Sequence, residues 1–280
     1  MFLIIPNLNK ENSLLTLEMI EKYLLDMKLD YKIIVDNNER EKFISYRKNK
    51  GQPTNNIFIY SDVKYFNNIA IVLGGDGSIF NANRKLNYEI PLIGINHGNL
   101  GYLTEYGNDN YKFIIDNILK KNYIIEKRFM ICTQINNNVY NALNEIVVRT
   151  KNTNVIEFEL KINGEYINEF KADGILISTP TGSTAYNLSA GGPIALPSSE
   201  IMIITPICAH TLMNRSIVAT SNDNIEIFVK TNAIVSCDGE NIIELEKNTG
   251  INILKSNKNT SIIKINKTSF YKTLREKLIK

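Results

Sequence analysis

The sequence predicts an α/β domain built on a parallel sheet, followed by an all-β domain. Three observations carry this. Up to about residue 120, short apolar runs of strand length alternate with amphipathic helical stretches. From about Tyr123 the helical spacing stops and strand-like runs follow one another. A last stretch, Phe270 to Ile279, reads as a helix again.

In the first part, Phe2–Ile5 is a strand. Leu14, Leu17, Ile20, Leu24 and Met27 then recur at three- and four-residue steps, the stripe of an amphipathic helix, with Asn12 or Ser13 as its cap. Lys32–Val35, Ile57–Tyr60, Ile69–Leu73 and Ile90–Ile95 have strand length, and Ser78–Leu86 and Asn110–Lys120 are helical. Between Asp36 and Asn56 the polar chain reads as a surface helix and loop without a site. In the second part, Val155–Ile162 and Tyr166–Phe170 flank Asn163-Gly164, a strong hairpin signal. Further strands are expected at Asn224–Lys230, Ala233–Cys237, Ile242–Glu246, Ile251–Leu254 and Thr260–Ile265.

With 280 residues there is room for two domains with sizeable cores. The net charge of +3 is small for this length and gives no support to a nucleic-acid or membrane partner. Cys132, Cys208 and Cys237 are far apart and lack CxxC spacing, as expected of reduced thiols in the cytoplasm. Only His97 and His210 are present, which rules out a His-rich zinc site. Phe2–Ile5, followed at once by Pro6, is too short for a signal-peptide core, and no run approaches the ~18–20 residues of a membrane span.

Two stretches carry chemistry. Ile71-Val72-Leu73 stops at Gly74-Gly75-Asp76-Gly77, a strand entering a loop with one acid–base group. Backbone N–H groups of a glycine loop at a helix start favour phosphate, and glycine permits positive φ there. Asp76 can accept a proton from an attacking hydroxyl. The same residues also read as a tight βα turn in which Asp76 caps the next helix. The second stretch runs from Asp173 through Thr179, Thr181, Thr184 and Tyr186 to Pro193. Its small hydroxyls can bond a ribose or a base edge, and Tyr186 adds a ring face. Alone, such a loop is more often an ordinary turn.

These stretches, with Gly94-Ile95-Asn96-His97-Gly98-Asn99-Leu100-Gly101-Tyr102-Leu103 and Asn144-Glu145 in the same order, resemble the NAD kinase family of bacterial type. The likeness is strong over about residues 70–240 and weaker at the ends. It implies a Rossmann-like α/β domain over 1–120, completed by a C-terminal helix within 266–280, and a β-rich NAD-binding domain over 121–265. It implies phosphorylation of the 2′-hydroxyl of the adenosine ribose of NAD by ATP or polyphosphate, giving NADP.

In that reading Asp76 is the base, and Gly74, Gly75 and Gly77 shape the phosphate loop, with Gly77 touching substrate. Asn144, Glu145, Asp173, Thr181, Thr184, Ala185, Tyr186, Asn187, Leu188 and Ser189 bind NAD. Lys171 stands where many members have Arg, and Glu240 where many have Gln; both are carried over as NAD contacts. Asn81 stands near a place that is often basic. His97 reads either as a phosphate ligand or as a satisfied loop histidine, and the motif around Asn154 is too loose to transfer. Without a carboxylate cluster of metal-ligand spacing, the implied Mg²⁺ travels with the donor. A homodimer or homotetramer in the cytoplasm is implied as well. Two other readings share part of the pattern: a diacylglycerol-type lipid kinase, which has the same glycine motif, and a non-catalytic pyridine-nucleotide sensor.

Overall fold

The computed structural model describes residues 1–64, 68–98, 101–151, 154–210, 214–265 and 269–278. They form two compact units, Met1–Lys127 with Thr260–Lys280, and Arg128–Asn259.

The first unit alternates strand and helix. In chain order these are β1 (Phe2–Pro6), α1 (Glu11–Asp26), β2 (Tyr31–Val35), α2 (Asn37–Asn49), β3 (Ile57–Ile59), β4 (Ile69–Leu73), α3 (Asp76–Lys85), β5 (Leu92–Asn96), β6 (Tyr106–Gly107) and α4 (Tyr111–Leu119). The strands pair in parallel in the order β3-β2-β1-β4-β5. Leu3, Ile4, Ile33, Ile34 and Ile71 are fully buried, the continuous apolar pattern expected of a parallel sheet covered on both faces. The strand order reverses between β1 and β4, and such a reversal opens a crevice at the carboxyl ends of the strands. The loops that follow β1 and β4 meet there: the Asn7 amide donates to the Leu73 carbonyl at 3.2 Å.

Two local expectations are corrected. Neither Asn12 nor Ser13 caps α1; the cap position is Lys10, without a side-chain bond. Ser13 lies inside the helix, accepts from the Asn7 amide at 2.9 Å and donates to the Leu73 carbonyl at 3.3 Å. Helix α2 forms where a surface helix is expected, but it buries Arg47. The guanidinium makes a two-pronged bond to Glu21 at 2.7 and 3.0 Å and donates to the Pro53 carbonyl at 2.9 Å. Tyr31 also donates to Glu21, at 2.9 Å. A buried ion pair persists when its remaining polar atoms are bonded, as these are. The C-terminal helix, Phe270–Leu278, belongs to this unit, with the Phe270 ring 6.4 Å from that of Tyr102.

In the second unit the strands are β7 (Ile124–Ile135, which begins in the first unit), β8 (Asn138–Ala142), β9 (Glu145–Arg149), β10 (Ile156–Ile162), β11 (Glu165–Ala172), β12 (Gly174–Ser178), β13 (Ile201–Ile207), β14 (Ile217–Thr220), β15 (Ile225–Val229), β16 (Ala233–Cys237), β17 (Glu240–Leu245) and β18 (Thr249–Lys264, which ends in the first unit). One antiparallel sheet has the order β14-β13-β12-β9-β16-β17; facing it are β11-β10-β15-β18 and the β7–β8 pair. Phe158, Phe170, Ile175, Ile177 and Ile227 fill the core between the two layers. Asn163 and Gly164 turn the β10–β11 hairpin with φ of 54° and 81°, as the Asn-Gly pair predicts. The two strands expected at Ile251–Leu254 and Thr260–Ile265 are one. The polar Lys255–Asn259 stays extended in β18 because an alternating strand needs only one apolar face.

Candidate functional site

In the first unit, Asp76 is the first residue of α3, but it does not cap that helix. Its carboxylate instead clasps another loop. Oδ1 accepts from the amides of Leu103 (3.2 Å) and Thr104 (3.1 Å) and from the Thr104 hydroxyl (2.9 Å); Oδ2 accepts from the Tyr102 amide at 2.8 Å. Only one donor among the described residues reaches Oδ2, so a lone pair of a rigidly held carboxylate remains for a ligand. Gly101 makes the clasp possible, since a Cβ there would lie 1.9 Å from Asp76 Oδ1.

None of Gly74, Gly75 and Gly77 has positive φ, contrary to one reason offered for them. Gly74 is required by contact, because a Cβ would meet the Ser78 hydroxyl at 2.2 Å; at Gly77 nothing lies within 4 Å, which leaves the backbone open to a ligand. A cavity of about 190 Å³ lies alongside, lined among others by Asn7, Asp36, Tyr60, Ser78 and Asn81. Asp36 is held by Lys85 at 2.6 and 2.7 Å. His97 Nε2 lies 2.9 Å from the Thr16 hydroxyl, whose hydrogen is given to the Asn12 carbonyl at 2.9 Å. Nε2 therefore carries the proton. Burial, aided by Lys10, lowers the His97 pKa, which disfavours a cationic phosphate ligand.

In the second unit three strand ends converge. The antiparallel register sets Glu145 of β9 opposite Ser178 of β12, and Ile146 opposite Cys237 of β16. Asp238, at φ 52°, clasps the amides of Leu143 (2.8 Å), Asn144 (2.7 Å) and Glu145 (3.2 Å). The Asn144 carbonyl accepts from the Thr179 amide at 2.9 Å, and a Cβ on Gly182 would lie 2.1 Å from that carbonyl oxygen. The Glu145 side chain is 6% exposed, and its Oε2 has no hydrogen-bond partner among the described residues. Burial, reinforced by Asp238, pushes its pKa up to about 8, against a bond from the Tyr186 backbone. Asp173 and Tyr186 border a cavity of about 420 Å³ together with Arg149 and Lys151.

A clasped acid beside an open glycine loop, and a buried acid beside a hydroxyl loop, fit phosphoryl transfer to a polyhydroxyl acceptor. Comparison with known proteins decides which. The model of the ATP-NAD kinase N-terminal domain matches residues 2–123, and that of the ATP-NAD kinase C-terminal domain matches residues 143–265. The chain belongs to the NAD kinase family.

An NAD kinase of Caldanaerobacter subterraneus subsp. tengcongensis is 36% identical over 285 residues, covering 98% of this chain and 97% of that protein. One from Lachnoclostridium phytofermentans is 39% identical over 224 residues, covering 74% and 79%. In fold, the chain is similar to the crystal structure of yeast NADH kinase complexed with NADH. The TM-score is 0.84 at 21% identity, covering 98% of this chain and 86% of that one. An Archaeoglobus fulgidus NAD kinase in complex with ATP gives 0.77 at 23%, covering 99% and 98%. The α/β-plus-β architecture is that of NAD kinases, and the chain is a phosphotransferase that converts NAD to NADP. The lipid-kinase and sensor readings are set aside.

Within this NAD kinase fold the expected site residues separate by environment. Thr184, Ala185 and Leu188 are half-buried and Tyr186 and Ser189 exposed around the short helix Tyr186–Ser189, while Thr181 is buried within reach of Arg128 at 3.4 Å. Asn187 faces inward. Its amide donates to the Ser183 and Pro193 carbonyls at 3.3 and 3.0 Å, and its oxygen accepts from Thr205 at 2.8 Å, so the side chain serves the loop's shape. Lys171 is exposed and paired with Glu157 at 2.7 Å across the β10–β11 hairpin, a local partner that accounts for its charge. Glu240 begins β17 and is exposed, as is Asn154; Asn81 is half-buried on α3. Asn99 and Leu100 of the family motif lie outside the described residues. Sequence reasoning missed Thr104 and Asp238 as site-building residues. The only signals were Gly101-Tyr102-Leu103-Thr104 and Cys237-Asp238-Gly239-Glu240, which carry no periodicity. Among the described residues no group of three or more His, Cys, Asp or Glu is placed to hold a metal ion, and no helix is long and apolar enough to cross a membrane.

Proposed function

We propose that the chain transfers the terminal phosphoryl group of ATP, or of polyphosphate, to the 2′-hydroxyl of the adenosine ribose of NAD, with Asp76 as the general base. The observation that carries this is the Asp76 clasp. Three amides and one hydroxyl fix the carboxylate beside an open glycine backbone and leave Oδ2 a lone pair for the attacking hydroxyl. As the hydroxyl oxygen bonds to phosphorus, its proton passes to Oδ2 and the bridging bond to the leaving diphosphate breaks. The donor lies along the cavity beside Ser78 and Asn81, with its transferred group at the start of α3. Among the described residues no cluster of His, Cys, Asp or Glu is placed to hold a divalent cation, so such a cation would come with the donor and would offset charge on its phosphates.

NAD binding falls to the second unit's Asn144, Glu145, Asp173, Thr181 and the 184–189 loop, with Tyr186 presenting its ring. Lys171 and Glu240 contribute at its edge. The enzyme acts in the cytoplasm as a homodimer or homotetramer, with its three cysteines free. Light scattering on the purified protein tests the assembly.

An NAD analogue carrying 2′-deoxyadenosine tests the regiochemistry. It binds, and mass spectrometry finds no phosphorylated product; a phosphorylated analogue overturns the assignment. EDTA abolishes turnover and leaves NAD affinity nearly unchanged. A fall of more than ~10-fold, about 1.4 kcal/mol, would place an ion at the acceptor site instead.

A further inference from the structure

A phosphoryl group passing Asp76 carries negative charge, yet the loop around it offers amides, hydroxyls and glycines. Asn81, one turn into α3, is neutral. A cation does reach this loop, from the far end of the chain. Lys277, in the last turn of the C-terminal helix, places Nζ 3.9 Å from the centroid of the Tyr102 ring. Phe270, on the same helix face, lies 6.4 Å from that ring, so the helix grips Tyr102 from both of its ends. The amide of Tyr102 is the donor that reaches Asp76 Oδ2, at 2.8 Å. Lys277, Tyr102 and Asp76 are therefore contiguous.

Lys277 is half-buried, and burial lowers its pKa while the field of Asp76 favours its charged form. Among the described residues no carboxylate lies within 4 Å of this ammonium. A surface lysine ordinarily has water or a surface acid as its partner. This one is drawn over an aromatic face, beside the residue read as the base.

We propose that Lys277 is the cation of the phosphoryl-transfer site, holding the Tyr102 ring against the Asp76 loop and setting positive charge where the transferred group passes. Such charge stabilises the transition state more than the ground state, because charge on the transferring oxygens develops in a site that is already organised. Lys277 forms and breaks no covalent bond. The proposal rests on the reading of Asp76 as base. The alternative is that the cation–π contact only docks the helix.

The full-length enzyme with Lys277→Met and with Lys277→Arg separates the two. Steady-state kinetics in ATP and NAD, calorimetric NAD titration and thermal melts are measured for each. Met keeps the stem and removes the charge; Arg keeps both the charge and the stacking. The expected result is a fall of ~10–100-fold in kcat for Lys277→Met, with a raised KM for ATP. NAD affinity stays within ~3-fold, and Lys277→Arg recovers most of the loss. Lys277→Met turning over within ~3-fold of the parent overturns the proposal. So does Lys277→Arg as impaired as Lys277→Met, since charge is then not the property that matters. Asp76→Asn, measured alongside, keeps the two readings apart. If it stays active, the base assignment fails; if it is dead while Lys277→Met is active, only the role of Lys277 fails.

Discussion

The two units use one device for two ends. In each, an aspartate folds a loop by accepting three successive amides: Asp76 takes those of Tyr102, Leu103 and Thr104, and Asp238 those of Leu143, Asn144 and Glu145. In each, a glycine gives way to the clasped segment, Gly101 against Asp76 and Gly182 against Asn144. What differs is the company. Asp76 stands at a helix start within the field of Lys277. Asp238 stands beside the buried Glu145 and adds to the burial that raises its pKa to about 8, which favours the protonated acid. The same backbone geometry thus stands in two electrostatic settings, with a lysine near one aspartate and a buried acid beside the other.

Exchanging each acid for its amide is the sharpest way to break this comparison. Asp76→Asn should lower kcat by ~10²–10⁴, the usual reach of general-base catalysis, with a smaller effect on NAD affinity. Asp238→Asn should leave kcat within ~3-fold, weaken NAD binding by ~10-fold and lose about 1–3 kcal/mol of stability, the cost of one unsatisfied buried amide. Asn accepts positive φ readily, so position 238 adds little conformational strain. Steady-state kinetics, calorimetry and denaturant melts check all of these. Equal kinetic losses in the two variants would mean that both aspartates are purely structural.

The glycines give the next effect. Gly101→Ala meets the Asp76 carboxylate and the Thr104 hydroxyl, at 1.9 and 2.2 Å, and Gly182→Ala meets backbone, at 2.1 Å. Both should destabilise by about 1–3 kcal/mol. Gly101→Ala should lose mainly kcat, and Gly182→Ala mainly NAD affinity. A kcat loss confined to Gly182→Ala would reverse the assignment of roles.

The smallest effect is a pH dependence. The folded pKa of Glu145, about 8, lies above its ordinary value of 4.5, so the folded state holds the extra proton between these values. The contribution of Glu145 to stability is fully present below about pH 4.5 and is lost as pH rises through about 8. Glu145→Gln cannot titrate. Its melting temperature should fall less than the parent's between pH 5 and 8.5, by roughly a few degrees. Parallel melting curves across that range would remove the protonated acid from the site.

Local sequence was enough for much of this. Three- and four-residue apolar spacing placed α1, strand-length apolar runs placed β1 to β5, and Asn163-Gly164 placed a hairpin, because these signals come from neighbours in the chain. The glycine-rich motif and the hydroxyl loop pointed to the family for the same reason. Asp76 was legible as a candidate, but the partners of its carboxylate were not. Its clasp onto Tyr102–Thr104, the inward turn of Asn187, the joining of two runs into β18 and the arrival of Lys277 beside Tyr102 all depend on contacts between residues distant in sequence. Side-chain direction and strand partners are set only when the sheet and its packed helices fix them, and no local period encodes that choice.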